Sequence, residues 1–543
     1  MFRLDSFGRL DPDDFVTAAG TPSRRLLLKG LAASGLLLAS GPALAQRLWT
    51  NPVFKADPFS LGIASGDPAA DGFVIWTRLA PEPLTEHGGM PMRAVEVAWE
   101  VAADEAFAQV IQHGTGLARP ELGHAVHVEV AGLAPDRAYF YRFSCGGVRS
   151  AVGRGRTFPP AGSAVARLDF GVLGCQRYED GFFTAFRHAA AERFDFIFHY
   201  GDYIYEYRTI RPGDRQLPVA RMMPGEPDEI YALGDYRRRY ALYKLDADLQ
   251  AAHASAPWLV SFDDHEVDNN WAGLVSEEQG VPPELFALRR AAAFQAWYEH
   301  MPLRRSAIPN GPNIQAYRRF RYGDLAQIEV LDTRQFRSDQ PCGDGWQSHC
   351  ADARRPENTM LGAAQEAWLD EGLRASRARW NVLAQQVMMM RLDREADPGA
   401  SSVHMDKWDG AVAARQRVFD SLSEARIANA VVLTGDIHQN WAGELKANFD
   451  DPASKAVGVE FVATSISSGG DGAAMTRSGE TRLRKNPHLR YFNNQRGYMR
   501  HSVTNERWQA DYRVLDKVTT AEAPVTTAAS FVVEAGKPGL KPA

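Results

Sequence analysis

The sequence predicts a layered α/β protein with an all-β region in front of it, and two observations point to this fold class. Between about residues 59 and 158, apolar and polar residues alternate with a period of two. From about residue 167 onward, short apolar runs alternate with segments of helical length. The first pattern is typical of half-buried strands, and the second is typical of an α/β domain with buried strands.

The composition of the chain excludes several classes of protein. Of the 543 residues, 45% are hydrophobic and 24% are charged, as in ordinary globular proteins. The 61 basic and 67 acidic residues give a net charge of −6, so we expect no stable nucleic-acid partner. Four cysteines are too few for a disulfide-rich scaffold or a set of iron–sulfur clusters. No apolar run after residue 45 reaches the ~20 residues of a membrane span, so none is expected in the mature chain.

Residues 1–45 have the pattern of an export signal. The small residues Ala43–Ala45 end an apolar stretch, so the mature chain is expected to begin at Gln46. The string Ser23–Lys29 resembles the bacterial twin-arginine signal, with Leu27 where phenylalanine is usual. An N-terminal membrane anchor is the alternative. The resemblance implies export through the twin-arginine machinery to the periplasm or the medium, and that route suits a protein that acquires its metal before export.

Residues 46–160 are expected to form an N-terminal β-sandwich domain. Alternating segments occur at Val95–Val101, Val126–Val130 and Tyr139–Ser144, and short turn signals separate them. About 100 residues of this patterning suit a sandwich. The stretch Leu133–Tyr141 resembles the late-strand region of fibronectin type III-like domains.

Residues 161–520 are expected to form the α/β domain, and residues 521–543 a C-terminal tail. The strand-like runs are Leu168–Leu173, Phe194–His199, Trp258–Phe262, Leu325–Leu331, Val382–Val387, Ala430–Leu433 and Val459–Ala463. The helical segments are Phe182–Arg193, Asp235–Ala254, Leu285–Glu299, Ala363–Ser376 and Ala411–Ala425. Ligands of such domains gather at the carboxyl ends of parallel strands, so the loops after the runs are the expected location of the site.

Four of these loops carry side chains of the types that bind metals in proteins. Taken singly, each has an ordinary explanation, since Cys175 suits a core position and Asp202 suits a turn. Tyr205 could be a packing residue and His438 a buried histidine. Two consecutive carboxylates are harder to explain in this way, because they need compensating charge. The carboxylate-rich loop reads Asp263, Asp264, His265, Glu266, Val267, Asp268, Asn269 and Asn270. A bound cation would supply that charge, so the loops together predict a metal centre.

The spacing in these loops resembles a known superfamily. Gly201-Asp202-x-x-Tyr205 and Gly435-Asp436-x-His438 resemble the calcineurin-like metallophosphoesterases, and in particular the purple acid phosphatases, in which a tyrosine binds ferric iron. A more extensive resemblance, to the PhoD-type alkaline phosphatases, covers nearly the whole mature chain. Its motifs are GIASGDP at 62–68, WTR at 76–78, the Cys175 segment, HYGDYIYE at 199–206, DDHEV at 263–267, LDTRQ at 331–335, WNVL at 380–383 and TGDIHQNW at 434–441.

The resemblance implies a metallophosphoesterase core with an iron–calcium centre. The implied ligands of ferric iron are Cys175, Asp202, Tyr205 and His438. Asp202 would bridge to a calcium ion that Asn270 and Asp436 also bind, with the adjacent Asn269 as the alternative to Asn270. The donor types agree with this division, because thiolate, phenolate and imidazole suit a transition metal, whereas carboxylate and amide oxygens suit calcium.

The expected reaction is the hydrolysis of a phosphate ester by water that the cations activate, which requires no Ser, Cys or His nucleophile. Asp264 and His265 are expected to orient ligands or to transfer a proton to the leaving group. Arg496 and Arg177 are the candidates for binding phosphate, because a guanidinium group matches two phosphate oxygens.

Other functions stay open at this point. Within the hydrolases, phosphodiesterase or phospholipase D activity on the same site is the alternative to monoester hydrolysis. An exported oxidoreductase is a different class, although the sequence has no C-x-x-C and no G-x-G-x-x-G after a strand. A non-catalytic surface protein with a structural metal is a third reading. Donors spread over four loops suit open coordination positions better than a closed structural site.

The remaining cysteines predict packing and cross-linking. Cys342 and Cys350 flank a short, glycine-containing loop, and an oxidising compartment favours a disulfide between them over two free thiols. Cys145 lies on a predicted strand and is expected in the core.

Overall fold

The computed structural model describes residues 48–209, 221, 228–348, 350–397 and 399–543. The export signal expected at residues 1–45 lies outside them. The strands are β1 (Ile63–Ala69), β2 (Gly72–Arg78), β3 (Val95–Ala102), β4 (Val110–Ala118), β5 (Ala125–Val130), β6 (Arg137–Cys145), β7 (Val148–Arg149), β8 (Gly153–Thr157), β9 (Leu168–Leu173), β10 (Phe196–His199), β11 (Pro257–Val260), β12 (Arg318–Tyr322), β13 (Ala326–Val330), β14 (Trp346–Gln347), β15 (Trp380–Ala384), β16 (Val403–His404), β17 (Ala430–Thr434), β18 (Asn440–Lys446), β19 (Ala456–Val462), β20 (Leu489–Asn493), β21 (Gly497–Val503), β22 (Arg507–Leu515), β23 (Val525–Glu534) and β24 (Lys537–Pro542). The α-helices are α1 (Thr184–Ala191), α2 (Leu233–Lys244), α3 (Ala247–Ser255), α4 (Pro283–His300), α5 (Gly362–Ala375), α6 (Val412–Glu424) and α7 (Arg477–Lys485).

Two large mixed sheets carry the core. One has the strand order β24-β23-β22-β21-β9-β10-β11-β1-β2-β5, and the other has the order β12-β13-β15-β17-β19-β18-β20. Strands β9, β10, β11 and β1 run parallel in the first sheet, and β13, β15, β17 and β19 run parallel in the second. Each sheet therefore has a central parallel block whose carboxyl ends lie on one edge.

The two sheets pack face to face with helices on their outer sides. Phe196 and Phe198 of β10 point into the layer between the sheets, where they join Val382 and Phe461 of the second sheet. Ile197 points the other way, into the cluster formed with helices α1 to α4. This alternation is the two-residue period of a strand that is buried on both faces. Helices α5 and α6 cover the second sheet in the same way.

The N-terminal region is all-β and adjoins the core sheet directly. Strands β4, β3, β6 and β7 form a smaller sheet in that order, with β8 paired to β6. A separate apolar cluster joins this sheet to residues of β1, β2 and β5, including Phe73 and Val126. Because β1 pairs in parallel with β11, the N-terminal region and the α/β region share one sheet. The predicted fold class is confirmed, and the division at residue 160 stays a prediction.

Several elements differ from the expected pattern. The segment Asp235–Ala254, expected as one helix, is two helices, α2 and α3. The Asp246 side chain accepts hydrogen bonds from the N–H groups of Asp248 and Leu249, so it caps a new helix and ends the first. Strands β23 and β24 extend the ten-stranded sheet within residues 521–543. The strongly polar helix α7 has no counterpart among the sequence-based expectations.

The expectations for the cysteines hold. Cys342 and Cys350 form a disulfide bond, and Cys145 is buried with a free thiol. Among the described residues, no helix combines the length and the apolar character that crossing a membrane requires.

Candidate metal centre

The four loops singled out in the sequence meet at the carboxyl ends of the parallel strands. Cys175 follows β9, Asp202 and Tyr205 follow β10, and the carboxylate-rich loop 263–270 follows β11. From the second sheet, Asp436 and His438 follow β17. Since the sheets lie face to face, the loops of both converge on one edge of the sandwich, which is where ligands of layered α/β proteins bind.

Five of the expected ligands have a left-handed backbone conformation that residues other than glycine rarely adopt. Their φ angles are +55° at Cys175, +53° at Asp202, +48° at Asn270, +67° at Asp436 and +53° at His438. Each left-handed residue costs about 1–3 kcal/mol, a cost that persists where the surrounding structure enforces it. Strain concentrated in these loops is typical of a functional site.

Three side chains converge on one oxygen of the Asp202 carboxylate. Oδ2 of Asp202 lies 3.2 Å from the Sγ of Cys175 and accepts a hydrogen bond of 2.9 Å from the hydroxyl of Tyr205. The Nε2 of His438 lies 3.1 Å from the Tyr205 hydroxyl and 3.8 Å from the same Asp202 oxygen. A thiol, a phenol, an imidazole and a carboxylate thus surround a point small enough for one ion.

Burial and neighbouring charges shift the pKa values of these groups. Burial raises the pKa of the Cys175 thiol and of the Tyr205 phenol well above their usual values, and the Asp202 charge raises both further. Burial would also raise the pKa of Asp202, but the charges of His265 and His438 outweigh it and hold that pKa below its usual range. A cation at this point would favour the thiolate and the phenolate.

Carboxylates extend the cluster beyond the first group. Three sets of potential ligand atoms lie within 4.8 Å of one another: Cys175, Asp202 and His438; Asp202, Asp264 and His265; and Asp263, Asp264 and Asp436. Asp202 belongs to the first two sets and Asp264 to the last two. The sets therefore form one chain of donors, with sulfur and nitrogen at one end and oxygen at the other.

The donor set fits cations, because three of its oxygens lack partners. Asp202 Oδ1, Asp263 Oδ2 and Asp264 Oδ1 are buried and accept no hydrogen bond from any described residue. A buried carboxylate without such bonds is costly. A bound metal ion would pair with these oxygens.

Two basic side chains compensate part of the negative charge. The guanidinium of Arg334 is fully buried and donates to Asp263 Oδ1 at 2.5 Å. It also donates to both carboxylate oxygens of Asp406, at 2.7 and 3.0 Å. Its Nη2 is 3.5 Å from Asp264 Oδ1, beyond hydrogen-bond range. Arg334 therefore divides its charge among three acids and neutralises none of them fully.

The second basic group, the ammonium of Lys407, contacts Asp436 Oδ2 and lies 3.5 Å from Asp406 Oδ2. Burial would lower the pKa of Lys407, but Asp436 and then Asp406 raise it above its usual value. Lys407 thus stays charged at the edge of the cluster, next to a carboxylate expected to bind metal.

Two buried glutamates hold the loops in place. Glu266 accepts hydrogen bonds from the backbone N–H groups of Asp202 at 3.0 Å and Asp263 at 2.8 Å, which ties the loops after β10 and β11 together. Glu206 accepts from His265 Nδ1 at 2.7 Å. Its other oxygen accepts the N–H of Asn269 at 2.8 Å. These contacts orient the ligand loops, and neither glutamate is an expected metal ligand.

The two adjacent asparagines have different surroundings. The N–H of Asn270 donates to Asp264 Oδ2 at 2.9 Å, and its side-chain amide contacts Asp344. The side-chain amide of Asn269 donates to the exposed Glu277 at 2.6 Å. Asn270 is thus the one tied directly to a carboxylate of the cluster.

The two expected phosphate-binding arginines also differ. The Arg496 guanidinium is buried and donates to Ser465 Oγ at 2.9 Å and to the Ser468 carbonyl at 2.7 Å. Arg177 is partly exposed, and its guanidinium lies over the rings of Tyr205 and Tyr207, 5.9 and 5.3 Å from their centroids. Arg496 is therefore engaged within the protein, whereas Arg177 is partly exposed beside Tyr205.

Sequence reasoning assigned no role to several residues of the site. Arg334 lies in the LDTRQ segment, and Glu206 ends the HYGDYIYE segment, so both motifs held a signal that was not used. Lys407 and Ser468 had no such signal. Ser468 Oγ lies 2.7 Å from the Tyr205 hydroxyl and 2.8 Å from the Cys175 carbonyl, and it enters the site from the loop after β19.

Comparisons with known proteins agree with this architecture. Residues 170–512 match the family model described as PhoD-like phosphatase, and residues 43–159 match its N-terminal domain. Alkaline phosphatase D of Bacillus subtilis (strain 168) is 48% identical over 491 residues, which cover 90% of this chain and 83% of that protein. A solved structure titled "Structure of PhoD" is 47% identical, has a TM-score of 0.86 and covers 90% of this chain and 93% of that one. With this fold and this site geometry, the chain belongs to the PhoD-like phosphatase family and is an alkaline phosphatase.

Proposed function

We propose that this alkaline phosphatase hydrolyses phosphate monoesters, and also diesters, at a centre of ferric iron and calcium. One observation carries the proposal: Cys175, Tyr205 and His438 surround one oxygen of Asp202, while the other oxygen has no hydrogen-bond partner among the described residues. Asp202 also lies within reach of Asp264 and His265, at the start of the carboxylate cluster. A site that changes from soft to hard donors across one carboxylate suits two different cations.

The proposed ligands follow the donor types. Ferric iron is assigned to Cys175, Asp202, Tyr205 and His438. Calcium is assigned to Asp202, Asn270 and Asp436, and the hydrogen bond from Asn270 to Asp264 favours Asn270 over Asn269.

Side chains of the protein then position the reacting groups and exchange protons during hydrolysis. When bound, the cations lower the pKa of a coordinated water and neutralise charge on the phosphoryl oxygens. The Nδ1 of His265 is hydrogen-bonded to Glu206. Its Nε2 is therefore the nitrogen that can exchange a proton with the leaving alcohol. Asp264, which accepts the Asn270 N–H, holds the loop that carries the calcium ligand.

Phosphate binding is assigned to Arg177, because its guanidinium lies over Tyr205 on the partly exposed side of the cluster. Arg496 is assigned a positioning role. It holds the Ser468 loop through the Ser468 carbonyl, and Ser468 in turn contacts the Tyr205 hydroxyl. A buried guanidinium with protein partners is poorly placed to bind a substrate that comes and goes.

Export by the twin-arginine route completes the proposal. The expected signal at residues 1–45 supports it, and so does the Cys342–Cys350 disulfide, because such bonds persist in oxidising compartments. The enzyme would then act in the periplasm or outside the cell.

The decisive experiment is metal analysis of the exported protein together with a panel of phosphate monoesters and diesters. We expect iron and calcium in the same sample, and turnover of both ester classes. Protein that contains neither metal, and that cleaves no ester when both are added back, would contradict the metal assignment. Turnover of diesters alone would replace monoester hydrolysis with the phosphodiesterase alternative.

A further inference from the structure

A cavity opens beside the metal centre. It measures about 250 Å³, and its wall includes Lys407, Ile437 and Gln439. Ile437 lies between the expected ligands Asp436 and His438, so the cavity and the centre share one loop. Lys407, which lines the cavity, also contacts Asp436 of the centre.

The floor of the cavity is apolar. Met388, Met390 and Leu392 line it, and all three are buried. Methionine side chains adapt to irregular shapes and make favourable contacts with aromatic rings. The floor therefore suits the flat, apolar body of an aryl alcohol better than a hydrated polyol.

The cavity lining also carries positive charge. Arg482 of α7 lines the cavity, and its guanidinium carbon is 5.4 Å from the centroid of Trp346. Arg394 lies over the same ring, at 4.8 Å. Arg482 donates to Gln439 Oε1 at 3.2 Å, and among the described residues it has no ion pair with a carboxylate. Its charge is held in place by an indole ring rather than neutralised.

The acidic residue on the cavity wall does not cancel this charge. Asp409 accepts a hydrogen bond from Arg415 at 2.7 Å and another from the N–H of Leu392 at 3.0 Å. Lys407 is paired with Asp436. Arg482 is consequently the wall's uncompensated charge within the described part of the chain.

We infer that this cavity binds the alcohol portion of the ester and selects aryl alcohols that carry a second negative charge, with Arg482 as the group that recognises that charge. The inference rests on the proposed function, since it places the phosphoryl group at the metal centre. During hydrolysis, water forms the new P–O bond, the ester P–O bond breaks, and the alcohol leaves with a proton through this cavity. Arg482 determines specificity and takes no part in the bond changes.

The test compares two esters that differ by one charge, 4-carboxyphenyl phosphate and phenyl phosphate. In the metal-loaded protein, Arg482→Ala should lower the ratio of kcat/KM for the first to that for the second by about tenfold, as expected for loss of a charge-assisted hydrogen bond. Arg482→Gln should lower the ratio similarly, and Arg482→Lys should restore part of it. The matched control is Arg484→Ala, an exposed arginine of the same helix, which should leave the ratio unchanged.

The outcomes separate the two proposals. An unchanged ratio in both Arg482→Ala and Arg482→Gln, with phenyl phosphate still hydrolysed, overturns the cavity assignment and leaves the phosphatase intact. An equal fall in kcat/KM for both esters also overturns it, because Arg482 would then act on the centre. Failure of the unaltered metal-loaded protein to hydrolyse either ester counts against the proposed centre itself.

Discussion

The hydroxyl of Tyr205 donates to Oδ2 of Asp202, three residues earlier, at 2.9 Å, and Cys175 Sγ approaches the same oxygen. Tyr205, the most diagnostic ligand of the proposed iron site, therefore contacts the carboxylate that we propose is shared with calcium. Loss of the phenol should therefore change the metal's spectrum as well as its affinity.

Tyr205→Phe should abolish the visible charge-transfer absorption of a tyrosinate on ferric iron and reduce the bound iron. The measurement is an absorption spectrum with elemental analysis of the same sample. Tyr207→Phe is the control, since the Tyr207 hydroxyl makes no hydrogen bond among the described residues although its ring also lies near His265. If colour and iron content survive Tyr205→Phe, Tyr205 is not a ligand.

Asp202→Ala should remove the bridge between the two proposed cations. We expect a loss on the order of 10³-fold in kcat/KM, with a far-UV circular dichroism spectrum like that of the unaltered protein, since removing metal-held charge stabilisation costs several kcal/mol. Asp169→Asn, at the opposite end of β9, is the control and should retain activity. Retention of most activity by Asp202→Ala would exclude the bridging role.

The sequence could predict the strand ends of the site well, because apolar runs fix the strands and the loops begin where the runs stop. The run Leu168–Leu173 is β9 itself, and Ala430–Leu433 falls within β17. Parallel strands end on one edge, so the four loops could be expected to meet. The break between α2 and α3 was missed because the residues around Asp246 also suit a helix, and a capping interaction decides the outcome there.

The supporting charges could not be predicted, because they depend on contacts between distant segments. Arg334 reaches Asp263 across 71 positions and Asp406 across 72. Lys407 meets Asp436 only because the loop after β16 folds over the end of β17. Neither side chain stands beside a ligand in the sequence, so spacing alone carries no information on the pairing.

Arg334→Met should destabilise the fold strongly. The substitution leaves Asp263 buried without its guanidinium partner, whereas Asp406 keeps Arg337 at 3.0 Å. Breaking a buried charge pair by removing one member costs about 3–5 kcal/mol. Chemical denaturation of the variant and of the unaltered protein measures the difference in the free energy of unfolding. Arg321→Ala, which removes an exposed arginine in the neighbouring strand β12, should change that free energy by less than about 0.5 kcal/mol. Similar free energies of unfolding for the two variants would show that Arg334 does not stabilise the fold by pairing with these carboxylates.

The Cys342–Cys350 bond should be detectable by mass. Reduction should add the mass of two hydrogen atoms and expose two alkylatable thiols in the folded protein, and Cys175→Ser should show the same shift because Cys175 is outside the bond. The double variant Cys342→Ser/Cys350→Ser should lose up to about 2–3 kcal/mol of stability, as expected for a loop of this length. No mass shift on reduction would contradict the disulfide.

Removal of calcium should separate catalysis from folding. The two sheets bury their own apolar layer, and the carboxylate cluster lies at their edge, so we expect the fold to survive removal of the calcium ion that the cluster is proposed to bind. A calcium-selective chelator should therefore abolish ester hydrolysis while the circular dichroism spectrum stays unchanged, and added calcium should restore the activity. Magnesium should restore less of it, because magnesium requires near-octahedral geometry and keeps its waters. Full activity in the presence of the chelator would exclude calcium from the reaction, and unfolding upon chelation would favour a structural metal over a catalytic one.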